Sequence, residues 1–123
     1  MKGIAFVFFA TATICALLGM GWGIHMSASG DHTMAPAHAH LNLLGWVTLA
    51  LFGLFYHLVP QAAEGLLAKI HLGLALLGVI TIVPGIYLAI GQQGEALAKI
   101  GSVLSILSML VFVIVVFTRG RAR

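Results

Sequence analysis

Charge is the scarcest property of this chain. Only 7% of its 123 residues are Asp, Glu, Lys or Arg, against about a quarter in an ordinary soluble domain. That is too little to solvate a globular surface. Cysteine is almost absent too: Cys15 stands alone inside an apolar run, which excludes an intrachain disulfide and a CxxC redox or zinc motif. The three acidic residues, Asp31, Glu64 and Glu95, lie far apart, so no paired carboxylates are available for acid–base chemistry. There is no Ser-His-Asp set and no phosphate loop. Catalysis by this chain would have to come from a bound cofactor, which the protein positions. The net charge of +3 sits mostly at the ends, on Lys2, Arg119, Arg121 and Arg123. No basic face remains for nucleic acid.

What is abundant is apolar surface, 61% of the residues. It falls into four runs, from about Ile4 to Ile24, Ala39 to Val59, Leu66 to Ile90 and Ala96 to Thr118. Each reaches the roughly 20 residues a helix needs to cross the hydrocarbon. Lipid offers backbone N–H and C=O groups no partners, so spans of this kind must be helices. Ten-residue alternation, the mark of barrel strands, is absent. The expected fold is therefore all-α, a single four-helix transmembrane bundle over 1–123. Lys2 and the first run also fit a signal peptide, but the run is long enough to span and is read as a helix. Short connections make consecutive helices adjacent and antiparallel, giving an up-down-up-down bundle.

Loop charge orients it. The first connection has no Lys or Arg, both termini have them, and Lys69 flanks the second connection. The positive-inside rule then puts both termini in the cytoplasm, with Lys99 the one cation on the other side. The expected location is a bacterial-type inner membrane. Glycines in helix one (Gly19, Gly23), helix two (Gly45, Gly53) and helix three (Gly73, Gly78, Gly85) allow close helix approach. They also leave room for a flat cofactor. Pro84 is expected to kink helix three. Glu64–Ile70 (EGLLAKI) and Glu95–Ile100 (EALAKI) echo each other as helix starts, where an acidic residue suits the dipole.

Six histidines are many for so apolar a chain, and ionisable groups in a membrane are costly enough to suggest function. His25, His32, His38 and His40 converge on the periplasmic side. His57 and His71 lie near the inner side, where polar anchoring is an equal reading. Two residues apart on a helix means about 200° of rotation. His38 and His40 therefore face nearly opposite ways and do not chelate one metal while both are helical. They suit two ligand positions, toward the bundle and toward a neighbouring helix, cofactor or protomer. Imidazole suits haem iron, copper or zinc. Met26 and Met34 beside His25 and His32 add thioethers, which suit copper, above all Cu(I).

Gly21–Trp22–Gly23–Ile24–His25, Asp31–His32–Thr33, Ala37–His38–Ala39–His40–Leu41, Gly45, Tyr56 and Pro60 together resemble one stretch of a known family. It is the catalytic subunit of haem–copper oxidases, most closely the nitric oxide reductase branch, around its ninth and tenth helices. The last two helices here match the last two of that subunit by position only. The resemblance covers about 40 residues. It implies that the H-x-H opens a helix from the outer side, with His38 on a high-spin haem and His40 on a low-spin haem. The chain departs from the family in lacking the early helix with the second low-spin ligand and the separate histidine cluster for copper or non-haem iron. Another subunit would supply these, or the chain has its own haem arrangement. In that case His25, His57 or His71, or a second copy of the H-x-H in a homo-oligomer, completes the ligation. Lys99, Gln92 and Gln93 lie on the outer side, where they read first as solvated loop residues and second as partners for haem propionates.

Three functions follow as expectations. The first is a membrane b-type haem protein in electron transfer or accessory to an oxidase-like complex, with a redox partner or further subunit. The second is copper binding or handling through the outer segment 25–40. The third is a cofactor-free assembly subunit.

Overall fold

A computed structural model describes residues 1–121. Arg123, one of the flanking cations, lies outside them. Among the described residues there is no strand, and four helices are long and apolar enough to cross a membrane: α1 (Gly3–Ser29), α2 (Ala35–Leu58), α3 (Leu66–Ile90) and α4 (Ala96–Arg119). The chain is an all-helical integral membrane protein.

The helix bounds differ from the hydropathy reading where it matters for the histidines. Helix α1 runs five residues past Ile24, to Ser29, before Gly30 closes it with a left-handed φ of 69° and an N–H donated to the Met26 carbonyl. Helix α2 begins four residues before Ala39, at Ala35, with Pro36 in its first turn. Proline is tolerated there because the N–H it lacks would be unpaired anyway. His25 thus lies a full turn inside α1, and His38 and His40 lie within the opening turns of α2. At the far end α2 stops before Pro60, which starts a short 3₁₀ turn, Pro60–Ala63. Helix α3 continues through Pro84 without a break.

Small residues set how the helices meet. On α1 the buried residues Ala5, Phe8, Ala12, Cys15 and Gly19 recur every three or four positions, with Met26 two turns further on, one stripe of a helix. Opposite it lies the small-residue side of α2. A Cβ on Gly45 would stand 2.9 Å from the Cys15 side chain, and one on Gly53 would stand 3.0 Å from the Ala5 carbonyl. Between α3 and α4 the fit is tighter. A Cβ on Gly101 would come within 2.5 Å of the Ile82 backbone, and one on Gly85 would come equally near the Ala98 nitrogen. Small residues let backbones approach in lipid, where dispersion contacts and polar pairs hold helices together.

The outward faces carry large apolar side chains, such as Leu17, Ile24, Leu43, Ile80, Ile106 and Phe117. In water such a surface would drive aggregation; in a bilayer it is the solvent-facing surface. One polar tie closes an end of the bundle: Arg119 Nη1–H donates to the Glu64 carbonyl at 3.0 Å, joining the end of α4 to the turn before α3.

Candidate functional site

The loop 30–34 and the helix ends around it gather most of the polar chemistry. The loop is built by its own side chains. Asp31 Oδ1 accepts from the Thr33 backbone N–H at 3.0 Å and from the Thr33 hydroxyl, an Asx-type turn. Those bonds, the hydroxyl's first, hold the Asp31 carboxyl below the usual carboxylate range, with nearby His32 and His25 adding to the effect.

His38 and His40 leave α2 in different directions, as the rotation per residue requires. His38 turns to α1. Its Nε2–H donates to the Gly19 carbonyl at 2.9 Å, and the Trp22 ring stands edge-on at 6.1 Å between centroids. A Cβ on Gly23 would lie 3.2 Å from that same Nε2. The G-x-x-x-G of α1 therefore receives α2's polar side chains. His40 engages its own helix instead. Its Nδ1–H donates to the Pro36 carbonyl at 2.7 Å, which makes Nε2 the lone-pair nitrogen. A ring N–H fixed on a backbone carbonyl is the usual second-shell arrangement of a metal-ligating imidazole.

Asn42 is a participant that the sequence reading missed. Its amide nitrogen donates to the His38 carbonyl at 3.1 Å and lies 3.0 Å from His38 Nε2. The signal was present: a lone asparagine four residues after a histidine, inside an apolar run, shares its helix face. Here the helix also widens, with Leu41–Thr48 in π-helical turns. Such turns are rare and cluster at functional sites.

His25, Met26, Asp31 and Met34 line one cavity of about 260 Å³, together with Trp22 and Tyr87. Met26 is buried, and His25 is exposed. His32 is not on this cavity; its Nδ1–H donates to the Gly30 carbonyl at 3.2 Å. Among the described residues no three of His, Cys, Asp and Glu are grouped to hold a metal ion, so any metal here would need the thioethers. Lys99, Gln92 and Gln93 are exposed, and Lys99 pairs with Glu95 at 3.4 Å on the surface.

The other end of the bundle separates the two remaining histidines. His57 is exposed at the close of α2, while His71 is fully buried. The partner of His71 is Tyr56, whose hydroxyl is hydrogen-bonded to Nδ1 at 2.8 Å. The other ring nitrogen, Nε2, has no hydrogen-bond partner. Phe8, Phe52 and Phe112 enclose the ring, Phe52 at 4.4 Å and Phe112 stacked at 5.3 Å. The His57–His71 inner site is therefore a His71–Tyr56 pair in an aromatic cage. Just beyond it lies a cavity of about 90 Å³ lined by Phe52, Ala75, Ser105 and Ser108 among others.

No family model, curated protein or solved structure matches the chain.

Proposed function

We propose that the chain is a membrane b-type haem protein of the inner membrane, serving electron transfer, with His40 as the first iron ligand. The bundle runs up-down-up-down, with both termini cytoplasmic and the loop 30–34 in the periplasm. Lys2, Lys69, Arg119 and Arg121 on one side support that orientation, and Lys99 stands against them.

The observation that carries the reading is the state of His40. Its Nδ1–H is held by the Pro36 carbonyl, its Nε2 is left as a donor to metal, and the ring stands at the start of a helix with π-helical turns. The donor chemistry fits an axial ligand of haem. His38 fits less directly, because its Nε2 is bonded to the Gly19 carbonyl. It reaches iron only by exchanging that bond. Neither cavity described above is lined by His38 or His40, so a porphyrin held by His40 would need a surface beyond those cavities. A second copy of the chain, presenting its own His40, would enclose the ring and supply the sixth ligand in a homo-oligomer. Bound haem would supply one-electron chemistry. The protein's part is to fix the imidazole tautomer, exclude water and hold the ring at the periplasmic rim. The resemblance of His38–Ala39–His40 and its flanks to haem–copper oxidase subunits supports the same reading.

Oxidised and reduced absorption spectra of the purified chain, expressed with haem supply, test it. The expected result is a Soret band with the sharp reduced bands of bis-histidine ligation, lost in His40→Ala. A folded chain with no Soret band overturns the reading and leaves copper handling or a cofactor-free assembly subunit.

A further inference from the structure

The cavity between α1 and the loop 30–34 carries a second kind of chemistry. Two thioethers, one imidazole and one indole line a single space of about 260 Å³. Thioethers are poor ligands for hard or borderline cations and good ones for Cu(I), while imidazole serves copper in either oxidation state. An indole face attracts a cation at close range. This donor set is selective: it disfavours Zn(II), Mg(II) and Ca(II), which take thiolate, imidazole or oxygen.

We propose that this cavity is a cuprous-ion site, with Met26, Met34 and His25 as ligands and the Trp22 indole against the ion. The parts come from two segments. Trp22, His25 and Met26 are on the last two turns of α1, and Met34 follows the turn that Asp31 and Thr33 close and lines the same cavity. Met26 is 5% exposed, so its sulfur is kept from bulk water. Asp31 also lines the space. Its carboxylate, a hard donor already bonded to Thr33, acts as the counter-charge to the single positive charge of Cu(I). Exposed His25 gives the ion a route in from solvent, which suits a site that accepts and passes on copper. The site uses neither His38 nor His40 and does not rest on the haem reading.

The test uses the full chain in detergent or nanodiscs, titrated anaerobically with Cu(I) against a chromophoric Cu(I) chelator. Trp46→Phe is the background, so that all tryptophan emission comes from Trp22. The expected result is one Cu(I) per chain, quenched Trp22 fluorescence, sulfur and nitrogen scattering in the copper X-ray absorption spectrum, and no response to Zn(II). Met→Leu changes little volume, so Met26→Leu and Met34→Leu should stay folded by circular dichroism. Loss of a second-shell partner already lowers metal affinity by about 10–100-fold, so each of these ligand losses should lower it at least that much. His40→Ala, which removes the haem band, should leave Cu(I) binding unchanged. Three results overturn the proposal: no stoichiometric Cu(I) in the folded chain, binding insensitive to both methionine variants, or binding lost with His40→Ala.

Discussion

Gly19→Ala probes the contact on which the His38 geometry depends. A Cβ at this position would lie 2.2 Å from Asn42 Oδ1 and 3.0 Å from its Cγ. No real contact is so short, so the Asn42 amide must rotate away. It then loses its bond to the His38 carbonyl and its place beside Nε2. A hydrogen bond of this kind contributes about 0.5–1.5 kcal/mol. Against that, alanine is better than glycine in a helix interior by about 0.8–1.0 kcal/mol. The two nearly cancel, so stability should move by less than about 1 kcal/mol while the imidazole environment of His38 changes. Gly101→Ala is the contrasting case. Its Cβ would meet the Ile82 backbone at 2.5 Å, and backbone cannot rotate aside. Overpacking costs about 1–3 kcal/mol, so α3 and α4 must part at a net loss. Denaturant or steric-trapping unfolding in bicelles gives the stabilities, and ¹⁵N shifts of the labelled imidazoles report on His38. Gly19→Ala costing as much as Gly101→Ala, or leaving the His38 shifts unmoved, would refute the reasoning.

Tyr56→Phe removes the partner of His71 Nδ1 and leaves both ring nitrogens bare in an aromatic cage. It should destabilise by about 1–3 kcal/mol, and adding His71→Leu should recover most of the loss in the same unfolding assay. A double variant no more stable than Tyr56→Phe alone would show that the ring is needed for shape and not for its bond. For the loop, the sign follows from Asp31. Its carboxyl is held below the ordinary value of 3.8, so the turn's stabilisation is present above that value. It is lost as pH falls through the depressed folded value. The Thr33 amide resonance should shift over that acid range, and Asp31→Asn should abolish that acid-range shift.

The positions of the histidines show where side-chain chemistry departs from a hydropathy reading. His57 and His71 sit on opposite flanks of one connection and look like a pair along the chain. In the fold one is exposed and the other is enclosed by Phe8, Phe52 and Phe112. His25 and His32 look equivalent too, yet only His25 lines the cavity with the methionines. Gly19 and Gly23 read as a helix-packing motif and do serve one, but their grooves hold an imidazole and an amide.

The four helices were legible in the sequence alone. In lipid every backbone group must bond within its own segment, so an apolar run of sufficient length is decided locally. The divergence of His38 and His40 was legible as well, being a consequence of helical rotation between positions two apart. The bounds of α1 and α2 were not. Polar Ser27, Ser29 and Thr33 lower the hydropathy, while Gly30 and Pro36 settle where the helices end and begin. Only the tertiary structure decided the partners: Asn42 and the Gly19 carbonyl for His38, Tyr56 for His71, and the cavity that Met34 shares with Met26 and His25. The reason is register. Which side chains meet depends on how far one helix slides and turns against the next, and that is set by small-residue contacts such as Gly45 on Cys15 and Gly53 on Ala5, which no single run of residues contains.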